Sequence, residues 1–208
     1  MKIHIEGNIG TGKSTFIDFI SKHFDCCTSP EPVKEWEELT DSDGGNIIQK
    51  FYEDIPRWSF AFQMNCFISR THQTKSLPTG KPKFVERSIH SDKIFAKNCF
   101  DRGEMNLIEY KIYEKWSKWL ETKLCDKIDA IIYLRSSPEV CYERIKNRSR
   151  KGEESIPIEY LQELHIHHEE WLEKTDIPVY VIDSDNLSYD DPGLVDFILD
   201  NFININHR

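Results

Sequence analysis

Residues 7–14 read Gly-Asn-Ile-Gly-Thr-Gly-Lys-Ser, a full match to the spacing G-x-x-x-x-G-K-[ST]. Glycines so placed allow the tight turn that points several backbone N–H groups at one anion. A helix starting there adds its positive end. Lys13 is set to reach the outer phosphates of a nucleoside triphosphate, and the Ser14 hydroxyl to ligate Mg²⁺. Average residue frequencies produce such a string by chance in under about one chain in a hundred of this length. Gly7, Asn8, Ile9, Gly10, Thr11, Gly12, Lys13, Ser14 and Thr15 are therefore the expected triphosphate-binding residues.

A phosphate loop alone names no reaction. Three charged clusters could supply one: Glu31-Pro32-Val33, Glu86-Arg87-Ser88, and Arg148-Ser149-Arg150 running into Lys151-Gly152-Glu153-Glu154. Any one of them is as readily a solvated surface. Together they hold a base, a carboxylate for the metal side and cations for the phosphates, which is what phosphoryl transfer requires.

The elements that must position these groups are legible from periodicity. Short β-branched or apolar runs at Lys2–Glu6, Lys83–Glu86, Ala130–Leu134 and Val179–Ile182 predict strands, that at Lys83–Glu86 a buried one. Helical spacing runs over Ser14–Phe24, Ile47–Arg70 with an interruption and fresh start near Pro56, Leu107–Leu124, Pro138–Asn147, Pro157–Lys174 and Pro192 to about Phe202. Strands alternating with long helices imply a parallel sheet covered on both faces, with ligands at the carboxyl ends of the strands. Glu31, Glu86 and the glycine loop follow strands or helices as that rule requires.

The 208 residues make one domain, 1–208. The 27 basic and 36 acidic residues give a net charge of −9, which argues against a sequence-independent nucleic-acid binder. No apolar run approaches the roughly 20 residues that span a bilayer. The sequence opens on Met-Lys-Ile-His-Ile-Glu-Gly with no targeting pattern, so a cytoplasmic protein is expected, in the host cytoplasm if the source is viral. Cys26, Cys27, Cys66, Cys99, Cys125 and Cys141 lack C-x-x-C spacing and read as buried, reduced thiols. His165, His167 and His168 lack metal-ligand spacing and read as a solvated helix face. Trp58 and Phe60 read as packing residues, and Ile112, Tyr113, Trp116 and Trp119 as core or a subunit interface.

The strings EGNIGTGKST, EPVKEW, FYEDIPRWSFAFQ, ERSIHSD and RSR followed by IPIEYLQELHIHHEEWL resemble the deoxynucleoside kinase family, in order and with family spacing from residue 3 to about 183. The resemblance implies a P-loop NTPase-type three-layer α/β sandwich, a five-stranded parallel sheet with an arginine-rich lid at about 144–156. It implies transfer of the γ-phosphate of ATP, with Mg²⁺, to the 5′-hydroxyl of a deoxynucleoside, in a homodimer whose candidate interface is the aromatic helix 107–124. Glu31 would be the general base, Arg87 would hold the hydroxyl and phosphate, and Glu86 would stand with Ser14 on the metal side. Tyr52 and a glutamate of the 153–154 pair would bind the 3′-hydroxyl. Counting favours Glu153 and pattern matching favours Glu154; Glu153 is carried forward. Gln63 would pair with the base edge, with Ile9, Trp36, Phe62 and Phe95 around the nucleoside, and Arg144, Arg148 and Arg150 would close over ATP. The segment Asp92–Phe95 is one residue shorter than is usual in the animal enzymes.

Arg70 lies seven residues beyond Gln63, on the same helical face, with Cys66 one turn earlier and Asp92 approaching from the other side. In the resembling family an arginine and an aspartate here mark the deoxycytidine and purine kinases, whereas thymidine-preferring members are apolar there. Deoxycytidine, deoxyadenosine or deoxyguanosine is therefore expected ahead of thymidine. The competing readings are a thymidine-preferring or broad-specificity relative, a nucleoside monophosphate kinase, for which Glu31 would repel the acceptor phosphate, and a non-catalytic nucleotide sensor.

Overall fold

A computed structural model describes residues 1–75, 77–78, 80–124, 127–148, 150 and 152–204. Cys125 and two lid positions, Ser149 and Lys151, lie outside the described residues. Five strands, β1 (Lys2–Glu6), β2 (Cys27–Ser29), β3 (Lys83–Glu86), β4 (Ala130–Arg135) and β5 (Val179–Asp183), form one sheet in the order β2-β3-β1-β4-β5. Every pairing is parallel. The helices are α1 (Lys13–His23), α2 (Val33–Glu38), α3 (Ile47–Glu53), α4 (Ile55–Lys75), α5 (Ile89–Asp101), α6 (Leu107–Lys123), α7 (Pro138–Arg148), α8 (Ile158–Lys174) and α9 (Pro192–Ile198). A π-helical turn over Leu199–Ile203 continues α9, and a 3₁₀ turn covers Glu153–Ser155.

All five residues of the central strand β1 are buried, and its period of two sorts them by chemistry. Ile3 and Ile5 join Phe84, Ile132 and Leu134 in one core, covered by Phe16 and Ile20 of α1 and by Leu194, Ile198 and Phe202 at the C-terminus. Each such side chain contributes roughly 1.5–3 kcal/mol by leaving water. His4 and Glu6 project to the other face, where α5 packs between α4, α6 and α8.

Strand direction explains where function collects. The chain leaves β1 into the glycine loop, β2 into Glu31, β3 into Arg87 and Ser88, and β5 into Ser184, all at one edge of the sheet. β1 sits where the strand order switches, flanked by β3 and β4, and the crevice outside such a point is where open α/β sheets bind ligands.

Local signals account for most of the boundaries. Asn46 caps α3 in a reciprocal box with Gln49, and Asn106 does the same for α6 with Glu109. Pro56 falls in the first turn of α4, so the long periodic stretch splits at Asp54. Three elements escaped periodicity. β2 is three residues of Cys-Thr-Ser, and α2 is six residues following Pro32. α5 is enclosed by three helices, so Ser91, Asp92 and Asn98 are buried with Ala96 and Cys99 and no apolar stripe stands out.

Two expectations need correction, and a third divides. His168 is fully buried, its Nδ1 bonded to the Leu164 carbonyl, so the histidine cluster is not a uniformly solvated face. Of the α6 residues read as core or a subunit interface, Tyr113 is core, with Ser117 on the same inward side, whereas Ile112, Trp116 and Trp119 are exposed together with Leu107 and Ile108. Cys26 and Cys27 are half-exposed, unlike the buried Cys66, Cys99 and Cys141.

Candidate active site

The glycine loop is held open from behind. A Cβ on Gly10 would come within 2.6 Å of the Cys141 carbonyl oxygen, and one on Gly7 within 2.6 Å of the Leu134 oxygen. Both also carry positive φ, 84° and 147°, so other residues would be strained there. The Asn8 amide donates to the Leu161 carbonyl at 2.7 Å and accepts from Ile9 N at 2.8 Å, tying the loop to α8. Lys13 Nζ folds back on the loop, donating to the carbonyls of Gly7 at 3.1 Å and Asn8 at 2.5 Å. Burial and the nearby Arg87 charge push its ammonium down to about 7, against the pull of Glu86 and Glu31. An anion held in the loop would favour the charged form of this lysine.

Beside the loop, the ends of β2 and β3 and the helix α4 bring two carboxylates and two arginines together. Glu31 Oε1 accepts from Arg70 Nη2 at 2.8 Å and lies 3.5 Å from Arg87 Nε. Burial alone would raise the Glu31 carboxyl, but the Arg70 and Arg87 charges outweigh it and hold it at about 2. Glu86 accepts from Ser14 Oγ at 2.9 Å with one oxygen and from Glu31 N at 3.2 Å with the other. Arg70 Nε donates to Asp92 at 2.9 Å, and its Nη1 donates to the Glu86 carbonyl at 3.0 Å. Burial opposes the charge on Arg70, and Asp92 and Glu31 more than restore it. The spacing of Gln63, Arg70 and Asp92 pointed to this pair; that the same guanidinium also grips Glu31, 39 residues earlier, had no local signature.

These groups line a cavity of about 250 Å³. Trp36 and Phe62 meet edge-on in its wall, ring centroids 5.7 Å apart. The Trp36 indole N–H is spent on Ser69 Oγ at 2.8 Å, so toward the cavity it is purely apolar. Ile9, Tyr52, the buried Gln63 and Cys66, and Phe95 complete the slot, and the Arg87 guanidinium lies 4.7 Å from the Phe95 ring centroid. A flat aromatic slot with one amide and one fixed cation suits a planar polar ring. Val33, Ile48, Phe51 and Tyr160 also line it. Sequence reasoning passed over them, although Ile48 and Phe51 share the apolar stripe of α3.

Glu153 lines the cavity at 5% exposure, paired with Arg148 and with Arg150 at 3.1 Å. Glu154 is exposed and caps Gly152 N at 2.8 Å instead. Arg144 and Arg148 belong to α7 rather than to a separate lid segment. Arg144 donates to the Ser184 carbonyl at 2.7 Å, and with Arg148, Thr15, Leu187 and Tyr189 it borders a second cavity over the outer side of the glycine loop. The loop thus separates two chambers, one facing Glu31 and one facing α7.

The family model for deoxynucleoside kinases matches residues 3–200. The deoxycytidine kinase of Mus musculus is 42% identical over 194 residues, 82% of this chain and 75% of that protein. A probable deoxycytidine kinase of fowlpox virus is 39% identical over 208 residues, covering 96% of this chain and 86% of its own. Mitochondrial thymidine kinase 2 of Macaca fascicularis is 36% identical over 190 residues, 88% of this chain and 71% of that protein. The matched span takes in all five strands but for Lys2 of β1, and every loop that builds the cavity, and this chain therefore belongs to the deoxynucleoside kinase family.

Proposed function

We propose that the aromatic-walled cavity beside Glu31 binds a 2′-deoxynucleoside and that the chain, one domain throughout, transfers to its 5′-hydroxyl the γ-phosphate of ATP held on the glycine loop. The observation that carries this is Glu31: an anionic carboxylate, fixed by two arginines between the aromatic slot and the phosphate loop. It orients a neutral hydroxyl and accepts its proton as the new P–O bond forms. An acceptor that was itself a phosphate would be repelled there, which disfavours a monophosphate kinase.

In this reading Arg87 steadies the acceptor oxygen and the transferring group. Gln63 pairs with the base edge, Tyr52 and Glu153 take the 3′-hydroxyl, and Arg144, Arg148 and Arg150 neutralise the triphosphate. Ser14 and Glu86 already share a hydrogen bond, a hydroxyl and a carboxylate of the hard-oxygen kind that suits Mg²⁺. They would hold the ion, which supplies charge neutralisation at the β- and γ-phosphates. The exposed apolar stripe of α6, Ile108, Ile112, Trp116 and Trp119, would be the homodimer interface; a monomeric mass in solution would sink that assignment. The free thiols fit a cytoplasmic location, in an infected host's cytoplasm if the source is viral; secretion with oxidised cysteines would exclude it.

Base preference rests on Arg70 and Asp92. The pair is buried in the wall of the slot, with Arg70 also bonded to Glu31, and in this reading its bulk takes the room a thymine methyl would need. Deoxycytidine is placed first, because the relatives named for it stand alongside an arginine able to donate to a base acceptor. The test is kcat/KM for the four deoxynucleosides in wild type and in Arg70→Met, Asp92→Ala. Wild type should favour deoxycytidine over thymidine by about tenfold or more, and the double variant should gain thymidine activity. A wild type that prefers thymidine, or a variant that gains none, removes the pair from base selection.

A further inference from the structure

Arg87 is the one non-glycine residue with positive φ among the described residues, at 61°. A long side chain pays a steric penalty in the left-handed region and stays there only where its surroundings leave it no alternative. The restraints here are specific. Arg87 N donates to the Ile5 carbonyl at 2.9 Å, one step beyond the β1–β3 ladder. Its Nη1 donates to the Gly7 carbonyl at 3.0 Å. Its own carbonyl oxygen accepts from His4 Nδ1 at 2.7 Å.

Because a carbonyl oxygen only accepts, Nδ1 carries the proton of this imidazole and Nε2 is a bare acceptor. Nε2 is buried with no partner among the described residues, so the Arg87 carbonyl is the contact the ring makes. Burial pushes the imidazole down to about 3, which keeps it neutral and the sense of the bond fixed across the working pH range. A histidine in the middle of a fully buried central strand is costly if all it does is fill space: leucine or valine would pack without an orphaned nitrogen.

We propose that His4 is a positioning residue of the phosphoryl-transfer site: its Nδ1–H pins the Arg87 carbonyl and so maintains the left-handed turn that aims the guanidinium at Glu31 and the glycine loop. Released from that bond, residue 87 relaxes toward an ordinary backbone conformation. The guanidinium then swings off Glu31 and Gly7, while Ser88 still caps α5 through its box with Ser91. The inference rests on the role given above to Arg87.

The experiment is a cycle of His4→Leu, Arg87→Met and the double variant, with kcat, KM for deoxycytidine and a melting curve for each. His4→Leu should lower kcat about tenfold with KM changed less than about threefold, and the double variant should be no slower than Arg87→Met alone. His4→Asn, which keeps a donor at the Nδ1 position, should stay within about threefold of wild type, while His4→Gln, whose donor sits one atom further out, should fall with His4→Leu. Wild-type kcat in His4→Leu, or losses that simply add in the double variant, overturns the proposal. If His4→Leu does not fold, the Asn and Gln variants decide, and equal rates in the two overturn it. Wild-type kcat in Arg87→Met would overturn the assignment of Arg87 and this proposal together. A slow Arg87→Met beside a fast His4→Leu overturns this one alone.

Discussion

Lys13→Ala is expected to abolish turnover, with kcat down on the order of 10³-fold or more, in a protein that remains folded. Among the described residues the ammonium is the one lysine charge placed on the loop, and its hydrogen-bond partners are the Gly7 and Asn8 carbonyls, whose loop is separately anchored through Asn8 to Leu161. Removing it therefore costs the phosphates their cation without dismantling the turn. Burial has already brought that ammonium down to about 7, so triphosphate binding also restores a charge that the protein alone holds weakly. Turnover and ATP affinity, each measured beside a melting curve, check this. Wild-type rate and affinity in Lys13→Ala would mean that the glycine loop is not the triphosphate site.

Glu31→Gln should lower kcat by about 10²-fold or more and leave nucleoside affinity largely intact. The amide keeps the shape and can still accept from Arg70, but it cannot take a proton. Because Arg70 and Arg87 hold the carboxyl at about 2, the wild-type rate should show no acidic limb from this group between roughly pH 5 and 8. The same pairing feeds into stability. A carboxylate whose folded value is depressed from 4.5 to about 2 stabilises the fold above about 4.5, and that contribution fades as pH falls toward 2. Rates for wild type and Glu31→Gln across that range decide it: near-normal kcat in the variant would take Glu31 out of the mechanism.

What was legible in advance had a local cause. The spacing of residues 7–14 fixes a turn and a helix start, and the short β-branched or apolar runs of β1, β3, β4 and β5 stand out in composition, although only β1, β3 and β4 are largely buried and β5 is an edge strand with Val181 exposed. β2 and α5 were not legible. One is too short to carry a pattern, and the other buries polar residues on nearly every side because three helices enclose it. Within the site, helical spacing set Arg70 on the face of Gln63, and Asp92 was placed opposite by its position after the Glu86-Arg87 strand end. The bond from Arg70 to Glu31 ties the start of the long β2–β3 connection to its last helix, α4, across 39 residues that no local pattern links. Glu153 and Glu154 divide by burial, which two adjacent glutamates do not disclose in sequence. His4 and Glu6 did leave a trace: with Lys2 they are polar residues alternating with Ile3 and Ile5. On that polar side His4 bonds the Arg87 carbonyl, while the Glu6 carboxyl has no hydrogen-bond partner among the described residues and burial pushes it up to about 7.

The central claim is that an anionic Glu31 presents a deoxynucleoside hydroxyl to a triphosphate on the glycine loop. Its most direct test is to incubate the wild-type protein with MgATP and deoxycytidine and to identify both products. The account predicts deoxycytidine 5′-monophosphate and ADP in equal amounts. Nucleotide binding without turnover of any deoxynucleoside, or turnover of nucleoside monophosphates alone, would contradict it.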